Sequence, residues 1–431
     1  MGRIAVNIIL ATAAFPIAMF ASRSSSMEFI GGINIQALYV FVALMITCSI
    51  LISNFSKVLP ELFQFPFYVI FIIYAGGYIF WSPDVIFGLR FYIKIIAPFL
   101  FYLLIICCVK LTDIDMLVKI ILWTYGIVAF IAVLNVLSGG LLQPLSHKHV
   151  WGRIESLYAP STSPADFSFR LACAAIICLA TYFHKRRVIY LLLFILFTTG
   201  VAWAFTRVSL AGLFFATVIL HILLVKSFQW KVLIMCLLVA CILLAPILSN
   251  NIRERMFYGG RDMKTEKLIS LLDNPDKFKE NLRTSGRSEL WRRANNHFKS
   301  RDALFGSGTG AVDLWTQKTG SELHSDYLRI YYDLGLLGLV LYLIVFFTFA
   351  SKLLRIYQCS TDSATRKYCS IAIALLLFYA ITLLTDNSLN YISELGLYVY
   401  AFIGFAIIHG RNKLESDSFN HLITQPAKSK N

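Results

Sequence analysis

Charge is what this chain lacks. Only 15% of its 431 residues are Asp, Glu, Lys or Arg, against about 25% in a water-soluble domain, while 58% are hydrophobic. That shortage excludes a soluble enzyme, a disordered tail and a secreted disulfide scaffold. Paired cysteine motifs are missing too: the nine cysteines lie in apolar stretches or, for Cys359, in a short basic loop, and no CxxC occurs. A zinc site and a disulfide framework are therefore not expected. No HExxH is present, no GxSxG, and no GKS or GKT follows Gly306, Gly308 and Gly310. His147 and His149, two apart, do not share one face of a helix. Nor is there an internal repeat.

Long apolar runs fill the space that charge leaves. A membrane span needs ~20 apolar residues, so twelve would occupy roughly 240. The runs predict spans near 4–21, 35–53, 66–81, 92–109, 116–137, 165–183, 188–204, 208–225, 232–248, 331–350, 368–385 and 392–409. Arg3 ahead of a run ending at Ala21-Ser22 also fits a signal peptide, but a first span keeps the count even. The fold class expected is an all-α polytopic membrane protein, one integral domain over 1–431. The net charge of +15 is the excess of Lys and Arg that inside loops carry, rather than a nucleic-acid footprint. With the N-terminus inside, Lys57, Lys110, Lys185-Arg186-Arg187, Lys226, Lys231, Lys352, Arg355, Arg366 and Lys367 fall inside, as does the tail 410–431. The connection between the last two spans holds Asp386, Asn387 and Glu394 instead.

Residues 249–326 form one long outer loop, and a loop of this length is usually functional. Ser288–Lys299 reads as a short helix with Leu290, Trp291, Ala294 and Phe298 on one side, and Thr265–Leu272 is helix-like. Gly306–Gly310 is a turn-rich break.

Several polar residues sit where apolar surroundings make them expensive. Arg207 interrupts two apolar runs at the outer boundary, where an arginine is either functional or an interfacial anchor reaching to headgroups. Its planar fork suits a phosphate or diphosphate. Arg287 opens the loop helix, where backbone N–H groups also favour an anion, whereas Arg292 and Arg293 suit headgroups or loop acids. His324 stands where the loop re-enters the membrane, and a neutral imidazole there can accept a hydroxyl proton; the alternative is an interfacial histidine bonded to backbone. Asp326, Arg329 and Asp333, spaced by three and four, share a helical face and can neutralise one another. Gly335 and Gly338 read as close helix packing. Arg90 and Lys94, four apart, with Arg153, Asp166 and Arg170, make the outer face electropositive, which suits an anionic lipid-linked ligand. Asp166 and Arg170, one turn apart, can also pair structurally.

The order Thr206-Arg207, Gly286-Arg287 with Glu289-Leu290-Trp291, Phe305-Gly306-Ser307-Gly308, His324-Ser325-Asp326-Tyr327-Leu328 and Gly335-Leu336-Leu337-Gly338 resembles the bacterial O-antigen ligase and polysaccharide (O-antigen, exopolysaccharide) polymerase superfamily. The motif resemblance covers roughly 200–345, and order, spacing and sidedness carry it together. It implies a GT-C-like integral-membrane glycosyltransferase of the inner membrane, working at the periplasmic face on undecaprenyl-diphosphate-linked glycans among membrane lipids. It further implies that Arg207 and Arg287 hold the diphosphate and that His324 serves the acceptor or donor. Arg90, Lys94, Arg153, Arg170, Asp326 and Tyr327 form a second tier of substrate-binding candidates. The chain departs at Ser325, where many members carry Asn, and no role is transferred there. No metal, cofactor or nucleic acid is expected; a flippase and a chain-length regulator are the candidate protein partners. The motifs suit a polymerase or a ligase delivering glycan to lipid A-core, and the re-entry segment favours the polymerase. A transporter or flippase of a lipid-linked anion is the reading of another class, against which stands the lack of a repeat between halves.

Overall fold

Helices dominate because residues in hydrocarbon must satisfy their backbone groups within their own segment. The computed structural model describes residues 45–138, 147–151, 154–158, 164–204, 206–225, 229, 287–299, 302–391 and 395–424, together with 28–29 and 33–34. Among these, α1 (Met45–Ser53) and α2 (Phe55–Gln64) meet at a bend of 98°. Then come α3 (Pro66–Gly77, continued to Trp81 by a 3-10 turn), α4 (Val85–Cys108), α5 (Leu111–Leu137), α6 (Pro164–Lys185), α7 (Val188–Trp203) and α8 (Arg207–Leu224). After the long loop follow α9 (Arg287–Phe298), α10 (Ala311–Thr319), α11 (Asp326–Cys359), α12 (Ser363–Thr385) and α13 (Leu397–Thr424).

Six of these helices are long and apolar enough to cross a membrane, or seven if α1 and α2 make one bent span, and α3, α7 and α13 supply shorter apolar helices. A polytopic membrane protein is the result. The expected spans 4–21 and 232–248, and the helix-like piece Thr265–Leu272, lie outside the described residues.

Two short ribbons qualify the all-α expectation. Glu28–Phe29 pairs with Ile33–Asn34, and His147–Trp151 pairs antiparallel with Ile154–Tyr158, with Trp151 opposite Ile154. His147 and His149 therefore lie on a strand, not a helix, so the helical-spacing argument does not apply to them.

The most buried spans among the described residues are α6 and α12, at 83% and 72%. Helix α12 packs against α6, α8, α11 and α13. Residues buried all round it, from Cys369 and Ile371 to Phe378 and Leu383, are what a helix without a polar face predicts. A smaller apolar cluster lies outside the bundle: Ala294 and Phe298 of α9, Ala311, Val312 and Trp315 of α10, with Leu323 and Tyr332. The expected loop helix is thus present, and Trp291, Ala294 and Phe298 face this core as its spacing predicted, whereas Leu290, expected on the same side, is not part of the cluster.

Helix α11 is broken at Gly335 (φ 70°, ψ −173°), a conformation open only to glycine. The break frees backbone groups that a continuous helix would pair internally, and residues 302–308 take them up. Ser307 and Gly308 N–H donate to the carbonyls of Tyr332 and Asp333 at 2.9 and 3.0 Å, while Leu336 and Leu337 N–H donate to Ala303 and Leu304 at 2.9 and 3.1 Å. Gly335 is therefore a chain break with a segment laid into it, which corrects the packing role expected from sequence. Gly338 does lie against Tyr74 and Leu334.

Candidate functional site

Two ends of the bundle carry polar clusters. At one end Arg411 pairs with Glu61 at 2.5 Å and Lys367 with Asp115 at 3.2 Å. The three first-tier residues gather at the other.

His324 lies between α10 and α11 with φ 50°, left-handed, a backbone state that costs about 1–2 kcal/mol for an L-residue. The next residue, Ser325, caps α11 by accepting Leu328 N–H at 3.4 Å. Leu323 buries its side chain in the outer cluster, and its carbonyl accepts the Trp291 indole N–H at 2.8 Å. So α9 and α11 clamp His324 from both sides, and the imidazole Nδ1 stands 3.7 Å from Asp386 Oδ1. That separation is an ion-pair distance and not a hydrogen bond.

Arg287 opens α9 and is half-buried. Burial lowers the pKa of its guanidinium and the Asp386 carboxylate works the other way, so Asp386 acts on both Arg287 and His324. Farther along α9, Glu289 accepts from Arg292 at 2.8 Å and from Arg293 at 3.0 Å. Those two arginines meet a loop acid, and they hold the exposed Glu289 carboxyl down at about 2.

Arg207 is the first residue of α8, directly after the break at Thr206. Helix α8 runs antiparallel to α12: Gly212 packs on Phe378, and Leu223 accepts from Tyr357, close to where α12 begins. From the Gly212–Phe378 contact, Arg207 lies five residues back and Asp386 eight residues on, roughly 8 and 12 Å toward the same end. The three candidates thus share one end of the bundle, with Asp386 facing His324 and its charge felt by Arg287.

The second tier divides. Lys94 donates to Asn390 at 2.7 Å and pairs with Asp313 at 3.4 Å. Arg90 is exposed over the Phe87 ring, so the two residues expected on one face part company. Arg170 is buried inside the bundle close to Tyr125. Arg153 and the Asp166 side chain lie outside the described residues. Tyr327 donates to the Ala380 carbonyl at 3.2 Å, and Asp326 accepts Leu389 N–H at 2.8 Å; both tie α11 to its neighbours.

Arg329 corrects the simple picture of an Asp326–Arg329–Asp333 set. Its chief partner is Asp313 of α10, with Asn390 at 3.1 Å, the Phe91 ring beneath it at 4.5 Å, and Asp326 farther off at 3.8 Å. Asp333 instead accepts Gly310 and Val312 N–H at 3.0 and 2.8 Å, holding the N-terminus of α10. Burial works to raise the Asp313 pKa, yet Arg329 and Lys94 overcome it and hold the carboxyl below its usual range.

Sequence reasoning missed Asp386, Asp313 and Asn390. In the sequence Asp386 shows only its sign, although an ionisable residue at the end of an apolar run is a site candidate by default. Asp313 gave no signal, because its partners are distant in sequence. Among the described residues no group of three or more His, Cys, Asp or Glu is gathered as a metal ion would require.

Residues 191–343 match the family described as O-antigen ligase. This stretch is similar to the O-antigen ligase family. It contains Arg207, Arg287 and His324, and it supports the superfamily resemblance that the motifs carried. The matched family points to membrane enzymes of glycosyltransferase type. No curated protein matches the chain.

Proposed function

We propose that this protein polymerises undecaprenyl-diphosphate-linked oligosaccharide repeat units at the periplasmic face of the bacterial inner membrane. In this reading it has twelve spans in a GT-C-like arrangement, and both termini are cytoplasmic. One observation carries it: His324 faces Asp386, whose charge also acts on Arg287, at the end of the bundle to which Arg207 belongs, and all three candidates lie inside the stretch similar to the O-antigen ligase family.

The chemistry follows from the groups. An acceptor-sugar hydroxyl oxygen attacks C1 of the donor glycan, and the new C1–O bond forms as the bond to diphosphate breaks with inversion. Undecaprenyl diphosphate leaves with the electron pair. Arg207 and Arg287 offset the charge growing on it, the electrostatic contribution that usually dominates such transfers. His324 orients the hydroxyl or takes its proton through Nε2, while Asp386 steadies Nδ1. Guanidinium stands in for the usual divalent cation, so turnover by the purified protein is expected to survive EDTA.

The test is a gel of surface polysaccharide from cells making Arg207→Ala, Arg287→Ala or His324→Ala at normal levels. Loss of the ladder is expected in each, and wild-type ladders from all three would falsify the site. The name of the matched family favours a second reading, transfer of finished glycan to lipid A-core. Gene deletion separates the two: single repeats on lipid A-core mean polymerase, and accumulated undecaprenyl-linked polymer means ligase.

A further inference from the structure

A cavity of about 150 Å³ opens where the end of α9, the turn at 302–307 and the start of α11 meet, lined among others by Asn295, Phe298, Lys299, Asp302, Ser307 and Tyr331. It is separate from the His324 centre. Phe298 is eleven residues beyond Arg287, roughly 16 Å along the helix.

Its walls are fixed. Ser307 is laid into the break of α11 by its backbone bond to Tyr332. Phe298 stacks on Tyr332 at 4.8 Å, and the Tyr331 ring stands 5.5 Å from the same tyrosine. One side is therefore a rigid aromatic surface. The remaining lining supplies an amide, an ammonium, a carboxylate and a hydroxyl. Asp302 Oδ1 already accepts Leu304 and Phe305 N–H at 2.8 and 3.3 Å, and neither bond uses its second oxygen. Ser307 Oγ is a hydroxyl closed to solvent with no hydrogen-bond partner among the described residues, an arrangement that costs about 1–3 kcal/mol.

A ligand matching this lining has an apolar face and a rim of groups that both donate and accept, as sugar hydroxyls do. One cation beside one carboxylate does not suit a diphosphate. The volume is below the roughly 300–1,000 Å³ of sites for larger small molecules, and the polar rim does not suit a lipid chain. We propose that this cavity is a glycan subsite that holds one sugar ring of the lipid-linked chain, a few residues from the reacting bond. The inference takes its substrate class from the proposed function, and it makes the cap helix α9 a reader of the glycan as well as a carrier of Arg287.

The test measures binding of the oligosaccharide released by mild acid from the strain's own surface polysaccharide, using purified full-length protein in detergent and saturation-transfer NMR. His324→Ala should bind as the unaltered protein does. Asn295→Ala and Tyr331→Ala should weaken binding about tenfold or more, the loss of one good contact, and Tyr331→Phe should retain most of it. Asn295 is exposed, so its variant is expected to fold, and a matching thermal midpoint checks this. Equal binding by Asn295→Ala, Tyr331→Ala and the unaltered protein overturns the subsite, as does absence of binding to the unaltered protein. Failure of the polymerase reading is seen separately, in the gel.

Discussion

His324 holds an imidazole where the backbone would rather hold glycine. Histidine enters the left-handed region more readily than most residues, and Asn and Asp do so as well. His324→Asn and His324→Gly are therefore expected to keep or slightly raise the thermal midpoint of the purified protein while losing transfer by about 10²–10⁴-fold. A drop in midpoint to match the lost activity would assign His324 to the fold rather than to the reaction. Asp386 is expected to matter through the ring it faces: Asp386→Asn should reduce turnover less than His324→Ala does, and should add little to it in the double variant. Arg287→Lys keeps the charge and loses the planar fork, so partial activity is expected where Arg287→Ala has none.

At the scale of elements, the break in α11 decides where the loop can lie. A Cβ at Gly335 would meet the Leu304 carbonyl and the Phe305 nitrogen, in addition to the unfavourable φ. Gly335→Ala should cost at least about 2 kcal/mol, read as a lower thermal midpoint. The α10–α11 contact is electrostatic. Asp313→Asn leaves Arg329, only 3% exposed at its side chain, without its main counter-charge, a loss of about 3 kcal/mol. The sign with pH follows from the depressed Asp313 pKa. Its contribution is present above the ordinary carboxylate range near 3.9 and disappears as pH falls through the lower folded value. Stability of the unaltered protein should therefore fall more steeply below about pH 4 than stability of Asp313→Asn.

Over the whole molecule, the two polar ends stand apart by the length of α11. Beyond its break at Gly335 the 24 residues 336–359 run roughly 36 Å, with His324 before the start of α11 and the exposed Cys359 at its end. If the His324 end is periplasmic, a membrane-impermeant maleimide added to intact spheroplasts should label Lys299→Cys and leave Cys359 unlabelled until the cells are opened. The reverse pattern would invert the protein. The Glu61–Arg411 pair belongs to the opposite end, where it joins the amphipathic α2 to the last helix. Glu61→Gln should lower the amount of folded protein in the membrane without changing turnover per molecule.

The sequence by itself determined the class and most of the described helices, because a span is written in consecutive apolar residues; the sidedness expected from loop charges is what the maleimide experiment measures. The sequence also supplied Arg207, Arg287 and His324, since a costly residue at an apolar boundary is visible locally. Three things only the tertiary structure decided. Asp313 answers Arg329, Asp386 faces His324, and Gly335 parts a helix so that residues 302–308 can bond inside it. Each is a meeting of backbone or charge between segments distant along the chain, and periodicity carries no record of which distant partner will be there.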